Sequence, residues 1–378
     1  MAGPPKIRHP FLRNTFQSSN VMSLTLTSRL LPSRSSLTRT TKALTAFSQL
    51  STLTVPEPAQ PPQTTYLARP VVSTRRHFAK MSHSAAAASH DELNRNSLFN
   101  LRGRVALVTG GGSGIGLMIT QALAVNGAKV YIVGRTKEKL DRVVETYNRD
   151  VEGEIVALPG DVSSKEDVAR LARELSARER CLCILVNNAG VSSATVQPES
   201  ATAADMSRHL FDTSRTSADD WLSAYRTDVV SLFFMTTAFL PLLAQSSAAH
   251  PGWSGTVLNI GSISGLVKVA QHHFAYNAAK AAAHHLTRML AGEVAAAGHK
   301  VRVNAIAPGV FPSEMTAGAS DQWQKSHLDK EKYEGKVPAG RPGRDVDMAQ
   351  AVLGLVANQY IDGQTLVVDG GYALAMGQ

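Results

Sequence analysis

Apolar and polar residues alternate along this chain in two patterns, one typical of buried strands and one typical of helices. The run Val105–Val108 has no polar break, which suits a strand buried on both faces of a parallel sheet. Residues 136–148 carry Lys, Glu and Arg on one face, which predicts an amphipathic helix. From Leu101 onward the two patterns follow each other in turn. They predict an α/β domain with a doubly wound parallel sheet of six or seven strands.

The same patterns set the bounds of the predicted elements. Strands are predicted at residues 105–108, 129–133, 154–158, 182–186, 256–260, 301–306 and 366–368. Helices are predicted from Leu117, at 136–148, from a Ser164 cap to about Arg178, at 219–243 with a break near Pro241, at 275–297 and at 345–356. The polar residues 191–217 are predicted to form a connection, and residues 309–345 a long loop or helical flap.

Glycines concentrate directly after the first predicted strand, and Gly110, Gly114 and Gly116 are the ones with separate tasks. A strand, a glycine-rich turn and a helix present free backbone N–H groups and a positive helix end, which bind phosphate. Gly110 permits a tight turn, Gly114 lets a pyrophosphate approach the backbone, and Gly116 lets the helix pack on the strand. No Gly-Lys-Ser/Thr follows, so the turn is not a P-loop. The spacing Gly-x-x-x-Gly-x-Gly also differs from the Gly-x-Gly-x-x-Gly of many dinucleotide folds, and we predict a nucleotide site here.

The net charge is concentrated near the N-terminus. The 378 residues carry a formal charge of +9, but residues 1–90 hold 11 Lys and Arg against one acid, Glu57. The remainder is close to neutral, which argues against nucleic acid as a partner of the folded body. No apolar stretch reaches about 18 residues, so we expect no transmembrane helix and no membrane partner. Hydrophobic residues make up 43% of the chain, enough to bury a core.

Residues 1–95 are predicted to be a disordered basic extension, and residues 96–378 the folded domain. The extension is rich in Arg and Ser, poor in acids and without a continuous apolar segment, which is typical of an organelle transit peptide. Residues 74–80 resemble the end of a mitochondrial presequence. Met81 is also a plausible ordinary start. We expect the protein in mitochondria, or in the cytoplasm if translation starts at Met81.

The two cysteines, Cys181 and Cys183, lie two residues apart on a predicted strand, so their side chains point to the same face. We interpret them as small buried hydrophobic residues. No second pair of Cys or His stands at ligand spacing, so no metal site and no disulfide framework is predicted. The histidine pair at 272–273 is expected at the mouth of a pocket, and the pair at 284–285 on a helix surface or interface.

Short motifs follow one another in a set order along the chain. They are the glycine turn at 109–116, Asn-Asn-Ala-Gly at 187–190, Ser262, Tyr-Asn-Ala-Ala-Lys at 276–280, Pro-Gly at 308–309 and Asp-Gly-Gly at 369–371. In this order and spacing the chain resembles the single-domain branch of the short-chain dehydrogenase/reductase family over residues 101–375. The resemblance implies a Rossmann-type fold, a nicotinamide cofactor, and interconversion of a ketone and a secondary alcohol by hydride transfer.

Tyr276 and Lys280 lie four residues apart on one predicted helix and therefore share a face. Reduction of a ketone needs a proton for the developing alkoxide, and a Tyr hydroxyl can donate it. Ionising a Tyr at pH 7 costs roughly 4 kcal/mol, and an ammonium about 4 Å away at an effective dielectric near 20 offsets about 4 kcal/mol. Ser262 is predicted to hydrogen-bond the substrate oxygen. The resemblance implies that Lys280 also holds the nicotinamide ribose.

One position in the predicted helix 219–243 departs from the family pattern. The family usually has Asn there, supporting a water that relays protons from the Lys, whereas this chain has Asp228. An ionised Asp accepts a hydrogen bond from such a water but cannot donate one. It can also attract the proton of Lys280. The relay role of Asp228 stays open, and Ser262, Tyr276 and Lys280 remain the predicted catalytic set.

The choice of cofactor depends on the residues after the second predicted strand. NAD enzymes place an acid there for the ribose 2′-hydroxyl, whereas an Arg accommodates a 2′-phosphate. Gly134 and Arg135 therefore favour NADPH/NADP+, and a solvated Arg that opens a helix is the alternative. The predicted cofactor-binding residues are Gly110, Ser113, Gly114, Ile115, Gly116, Arg135, Asp161, Val162, Asn188, Ala189, Gly190, Tyr276, Lys280, Pro308, Gly309, Val310 and Ser313.

The segment 308–316 resembles the rhamnolipid-type 3-oxoacyl reductases and their fungal relatives. Carrier-protein reductases commonly place Arg near the end of the helix that follows the catalytic Tyr, where this chain has Ala297. We therefore expect a small-molecule carbonyl or alcohol substrate, a free ketone or a CoA-type compound, rather than a carrier-bound one. A 3-oxoacyl compound fits this description.

A second class of function is a non-catalytic NAD(P)-binding sensor or scaffold. The intact set of Ser262, Tyr276 and Lys280 argues against it, because a sensor has no need of the Tyr. The predicted helices at 219–243 and 275–297 are more apolar than packing on one sheet face requires. Family members commonly pair these helices across a two-fold axis, so we expect a homotetramer or homodimer.

Overall fold

The computed structural model describes residues 87–211 and 216–377 of the chain. The extension predicted for residues 1–95 therefore lies outside the described residues, except for its last nine. Residues 87–92 are helical, and a short helix at Arg95–Leu98 crosses the predicted boundary with the folded domain. The first strand begins at Val105, as the sequence predicts.

In the described part of the chain seven parallel strands, numbered β1 to β7 along the chain, form one sheet in the order β3-β2-β1-β4-β5-β6-β7. They are β1 (Val105–Thr109), β2 (Lys129–Gly134), β3 (Glu154–Pro159), β4 (Ile184–Asn187), β5 (Gly255–Ile260), β6 (Val301–Pro308) and β7 (Thr365–Val368). The order reverses at β1, which pairs with β2 on one side and β4 on the other. Ligands of such sheets bind at the carboxyl ends of the strands beside this reversal. The predicted doubly wound Rossmann-type fold is confirmed.

Six main helices cover the two faces of the sheet. They are α1 (Gly114–Val125), α2 (Lys137–Tyr147), α3 (Lys165–Arg178), α4 (Ala218–Ala249), α5 (Phe274–Ala296) and α6 (Asp345–Ala357). Because side chains alternate along a strand, Ala106 and Val108 pack with α1, α2 and α6, while Val105 and Leu107 pack with α3, α4 and α5. The uninterrupted apolar run of β1 is thus explained by a core on each face.

Helix α4 continues through Pro241 to Ala249, so the break predicted near Pro241 is wrong. A proline removes one backbone hydrogen bond, but α4 buries Phe239 and Leu243 against the sheet on either side of it. The irregular part of α4 lies earlier, where Arg226–Val230 forms one π-helical turn. Such turns are frequent at functional sites.

Within the described residues, α4 is the one helix long and apolar enough to cross a membrane, with a mean hydropathy of 1.6 over its most apolar 18 residues. This differs from the expectation that no segment would reach that length. A core helix passes the same test, and 44% of that stretch is buried inside the fold. Met235, Phe239 and Leu242 pack in the core with β-strand residues, so packing on the sheet accounts for the apolar character of the inner face of α4.

The two predicted connections contain short helices and lie after the carboxyl ends of strands. Residues 191–217 include a helix at Ala203–Phe211, which the sequence analysis missed. Residues 309–345 include a helix at Glu314–Ala317 and a 3-10 helix at Lys330–Tyr333, in keeping with a long loop with helical parts. The first segment follows β4, next to the reversal point, and the second follows β6, two strands further along the sheet, so both lie at the carboxyl edge where a ligand site is expected.

Candidate active site

The glycine turn after β1 has the backbone that its sequence predicts. Gly110 and Gly114 have φ of +66° and +52°, a region that favours glycine. A Cβ at Gly116 would stand 2.0 Å from the carbonyl oxygen of Gly110. A Cβ at Gly114 would stand 2.8 Å from Cβ of Ser313 in the segment after β6. The turn, the α1 N-terminus and this segment therefore form a cradle without side chains, which fits a dinucleotide pyrophosphate.

A cavity of about 360 Å³ begins at this turn and extends to the predicted catalytic pair. Most predicted cofactor residues line it: Gly110, Ser113, Gly114, Ile115, Gly116, Arg135, Asp161, Val162, Asn188, Ala189, Gly190, Tyr276, Lys280 and Ser313. Pro308, Gly309 and Val310 do not line it. They carry the chain from β6 toward Ser313, and the Gly309 N–H donates to the Val368 carbonyl at 2.9 Å. One cavity thus brings the two predicted halves of the site together.

Asn188 is bound to the glycine turn. Its Nδ2 donates to the carbonyl oxygens of Thr109 and Gly110 at 2.9 and 3.2 Å, and its backbone N–H donates to Thr109 Oγ1 at 2.9 Å. Ala189 N–H also donates to that hydroxyl, at 3.0 Å. The ends of β1 and β4 are therefore tied together, which fixes the floor of the cavity.

The end of the cavity beside β2 is lined by two cations, Arg135 and Lys139, and by the acids Asp161 and Glu314. Gly134 ends β2 without an acidic side chain, and Arg135 and Lys139 both line the cavity. Lys139, which the sequence analysis missed, binds both carboxylate oxygens of Glu314, with Nζ–Oε1 2.7 Å and Nζ–Oε2 2.9 Å. Its hydrogen bond to Lys139 holds the pKa of Glu314 below its usual value. Arg135 and Lys139 can both reach an anionic group there.

Two of the predicted catalytic residues, Tyr276 and Lys280, line the opposite end of the cavity. Lys280 Nζ donates to the Ile260 carbonyl at 3.1 Å and lies 5.6 Å from the centre of the Tyr276 ring. Ser262 follows β5 two residues after Ile260, and its hydroxyl accepts from the Ser264 N–H at 3.1 Å. The Tyr276 N–H donates to Ser193 Oγ at 3.2 Å. Tyr276 and Lys280 thus share this end of the cavity, while Ser262 follows Gly261, the last lining residue after β5, and does not itself line the cavity.

Asp228 is buried beside Lys280, in the π-helical turn of α4. Its Oδ1 lies 3.5 Å from Lys280 Nζ and accepts from the Val191 N–H at 3.1 Å. Burial raises the pKa of the Asp228 carboxyl, against the opposing effect of Lys280. Burial alone would lower the pKa of Lys280, but Asp228 and Tyr276 reverse that effect and raise it. The position predicted as a relay residue therefore holds an acid that is buried within ion-pair distance of Lys280.

The histidines near the site lie where the sequence predicts them, except for His284. A second cavity of about 680 Å³ is lined by Gln271, His272 and His273, in keeping with a place at a pocket mouth. The His273 ring is 6.4 Å from that of Tyr276. His285 is exposed, but His284 is 2% exposed, so its predicted surface position is wrong. The helical period places it one turn beyond Lys280, on the buried face of α5.

Cys181 and Cys183 are buried just before β4, with their Sγ atoms 4.0 Å apart on the same face, as predicted. The structure adds His250, whose Nε2 is 3.8 Å from Cys181 Sγ. Within the described residues, these three form the one group with metal-ligand geometry. Arg104 approaches His250 Nδ1 at 2.7 Å. Because Arg only donates, the imidazole proton stands on Nε2, which opposes metal ligation through that atom.

Known proteins resemble this chain in sequence. The short chain dehydrogenase family model matches residues 104–324. The short-chain dehydrogenase/reductase PhomF of Diaporthe leptostromiformis is 38% identical over 281 residues, which cover 72% of this chain and 92% of PhomF. The rhamnolipids biosynthesis 3-oxoacyl-(acyl-carrier-protein) reductase of Pseudomonas aeruginosa is 36% identical over 279 residues, which cover 73% of this chain and 98% of that reductase. The chain belongs to the short-chain dehydrogenase/reductase family.

Solved structures agree with this membership. The Pseudomonas aeruginosa RhlG/NADP active-site complex has a TM-score of 0.59 and 35% identity, and the match covers 73% of this chain and 98% of that one. A 7α-hydroxysteroid dehydrogenase complexed with NADH and 7-oxo glycochenodeoxycholic acid has a TM-score of 0.60 and 27% identity, covering 74% and 97%. Because one complex holds NADP and the other NADH, the comparison supports a nicotinamide cofactor without choosing between the two.

Proposed function

We propose that this oxidoreductase reduces a ketone to a secondary alcohol with NADPH. The observation that carries the proposal is the shared cavity: Tyr276 and Lys280 line the same space as Gly110, Gly114 and Arg135. A proton donor, a cation and a phosphate cradle are thus placed at the two ends of one site. The resemblance of the whole domain to reductases of this family supports the same reading.

The residues of the chain have separate tasks in this reaction. When bound, NADPH supplies the hydride. Tyr276 donates the proton to the substrate oxygen, and Ser262 donates a hydrogen bond to the same oxygen as charge develops on it. Lys280, held by the Ile260 carbonyl, is placed to bind the nicotinamide ribose and to stabilise the tyrosinate that remains. The glycine turn and the N-terminus of α1 bind the pyrophosphate.

A preference for NADPH over NADH rests on charge at the β2 end of the cavity. Gly134 removes the carboxylate that would repel a 2′-phosphate, and Arg135 and Lys139 supply two cations that line the cavity. The Glu314 partner of Lys139 is partly exposed, with a side chain 34% accessible, so a phosphate can compete for the ammonium. These groups favour a dianion more than a ribose hydroxyl.

For the substrate we propose a small carbonyl compound of the 3-oxoacyl type, free or linked to coenzyme A. One relative is a 3-oxoacyl-(acyl-carrier-protein) reductase, and another, from Cereibacter sphaeroides, is a galactitol 2-dehydrogenase with 34% identity. A 3-oxoacyl compound presents a ketone and galactitol presents secondary alcohols. These are the groups that Tyr276 and Ser262 are proposed to bind. The substrates named for these relatives differ in the rest of the molecule, beyond the ketone or alcohol group.

The proposal is tested by incubating the full-length protein and NADPH with a panel of 3-oxoacyl esters, 3-oxoacyl coenzyme A compounds and keto sugars. We expect loss of NADPH absorbance with one of these classes and formation of the secondary alcohol. NADPH binding without consumption across the panel would instead favour the sensor or scaffold. An equal reaction rate in the Tyr276→Phe variant would contradict the proposal that Tyr276 donates the proton.

The location in the cell is proposed from composition alone, as mitochondrial, or cytoplasmic if translation starts at Met81. A fluorescent protein fused after residue 95 tests it, with a second fusion that begins at Met81 as control. Mitochondrial fluorescence for the longer fusion and cytoplasmic fluorescence for the shorter one are expected. Cytoplasmic fluorescence for both fusions would exclude a transit peptide.

A further inference from the structure

The Asp228 carboxylate is buried beside the Lys280 ammonium. Its side chain is 0% exposed and that of Lys280 is 5% exposed, and the Oδ1–Nζ distance is 3.5 Å. A Cβ at Gly190 would stand 2.6 Å from Asp228 Oδ1 and 3.3 Å from Lys280 Nζ, so only glycine at position 190 leaves this space. The sequence and the fold thus bring a negative charge next to the one cation that stabilises a tyrosinate.

The hydrogen bonds of Asp228 favour its ionised form. Oδ1 accepts from the Val191 N–H and faces the Lys280 ammonium. Oδ2 is buried without a hydrogen-bond partner among the described residues. A protonated carboxyl would need an acceptor for its O–H, whereas a carboxylate only accepts. The pair is therefore best described as a carboxylate and an ammonium with no net charge.

We propose that Asp228 is a positioning residue that biases this enzyme toward carbonyl reduction, by offsetting the charge of Lys280 so that Tyr276 keeps its proton at neutral pH. The inference rests on the proposed ketone chemistry. A protonated Tyr276 donates to a carbonyl, whereas alcohol oxidation needs the tyrosinate as a base. A lone ammonium would favour the tyrosinate. With Asp228 Oδ1 3.5 Å from Lys280 Nζ, the negative charge opposes the effect of the ammonium on Tyr276, whose ring centre lies 5.6 Å from the same Nζ.

Few other titratable groups face this pair within the described residues. On α5, His284 lies one turn beyond Lys280, and burial lowers the pKa of His284, so it is neutral at pH 7. His273, just before α5, has its ring centre 6.4 Å from that of Tyr276 in an edge arrangement. At the start of α4, Asp220 binds the Ala194 N–H. The ends of β4 and β5 bring only uncharged groups, so Asp228 is the buried charge nearest Lys280.

The test is a pair of difference titrations on the full-length protein with bound NADP+. The ultraviolet absorbance of ionised Tyr276 is obtained by subtracting the spectrum of Tyr276→Phe from that of the parent, and likewise for Asp228→Asn and its double variant. We expect the midpoint for Tyr276 to fall by about one pH unit in Asp228→Asn. An unchanged or raised midpoint would overturn the proposal. Asp219→Asn, an exposed acid on the same helix, is the control and should leave the midpoint in place.

Kinetics give a second readout, with the alcohol product of the ketone that the parent reduces. In Asp228→Asn, we expect kcat/KM for oxidation at pH 7 to rise by roughly tenfold for each unit by which the midpoint falls. Reduction should begin to decline at lower pH than in the parent. An oxidation profile that coincides with the parent's would contradict the bias.

Asp228→Leu removes the same charge and serves if Asp228→Asn does not fold. The absorbance titration needs no substrate, so it decides the role of Asp228 even if the panel of ketones fails. Conversely, a protein that reduces ketones with an unshifted Tyr276 midpoint in both variants would retain the proposed function and lose this inference.

Discussion

His284 lies directly behind Ser262, with its Nε2 2.9 Å from the Ser262 carbonyl oxygen. The imidazole fills the space beside Gly261, where a Cβ would stand 2.1 Å from Cε1 of the ring. Because a carbonyl oxygen only accepts, the ring donates to it from Nε2, and burial lowers the pKa of His284. The backbone that carries the Ser262 hydroxyl is thus held from the next layer of the fold.

We expect His284→Leu to lower kcat by about tenfold, the effect of one lost buried hydrogen bond. The Kd for NADPH should stay unchanged, because His284 does not line the cavity. His284→Gln keeps an N–H donor and should recover part of the loss, while His285→Gln, exposed on the same helix, should have no effect. Steady-state kinetics and NADPH fluorescence titration measure both quantities. Equal activity of the Leu variant and the parent would show that the hydrogen bond to Ser262 is not needed.

The same histidine makes a pH-dependent contribution to stability. Because its pKa is lowered in the folded state, the unfolded chain binds a proton near pH 6.5 that the folded chain does not. The free energy of unfolding therefore falls as pH drops below about 6.5, by at most about 1.4 kcal/mol per pH unit for one histidine. Denaturant unfolding at pH 7.5 and 5.5 should show a smaller loss for His284→Gln than for the parent. An identical loss in both proteins would mean that His284 is protonated in the fold.

Cofactor choice is expected to change when the cations beside β2 are removed. Arg135→Ala should lower the ratio of kcat/KM for NADPH to that for NADH by roughly 10- to 100-fold, the range of a charge-assisted hydrogen bond. Lys139→Ala should lower it less, because Glu314 already pairs with that ammonium. Arg142→Ala, exposed on the same helix, is the control. An unchanged ratio in Arg135→Ala would contradict the proposal that Arg135 causes the preference for NADPH.

Self-association is expected through the outer faces of α4 and α5. Large apolar side chains are exposed there, including Leu222 (58%), Phe233 (43%) and Met289 (53%). An interface between copies of the chain would bury them in a self-complementary contact. Light scattering should give a tetramer or dimer for the parent and a smaller species for the Leu222→Glu, Phe233→Glu double variant. Val125→Glu, exposed at the end of α1, should not change the mass. A monomeric parent would refute the prediction.

The fold was predictable because its signals are periodic and local. The buried strand at Val105 and the glycine turn after it follow from residue type and spacing, and the four-residue spacing of Tyr276 and Lys280 fixes their shared helix face. All lie where the sequence placed them. Asp228 was identified because it departs from the family pattern. Its short distance from Lys280 could not be predicted from the sequence.

Contacts between distant segments were not predictable from one sequence. Lys139 and Glu314 are 175 residues apart, and no periodic pattern joins α2 to the segment after β6. His284 was assigned with His285 to a helix surface or interface, because the sequence does not show which of two adjacent helix positions faces the core. Only the fold shows that the end of β5 lies against it. The helix break near Pro241 was predicted from the intrinsic tendency of proline to break a helix. The packing of α4 on the sheet overrides this tendency.

The central claim is that Tyr276 donates the proton in a reduction by NADPH. It is tested most directly by comparing the parent with Tyr276→Phe, which removes one hydroxyl and leaves the ring, in a single-turnover reaction with saturating NADPH and a ketone. We predict a 10²- to 10⁴-fold slower rate of NADPH oxidation with an unchanged Kd for NADPH. A rate within about tenfold of the parent's would contradict the account, because a lost proton donor costs more than that.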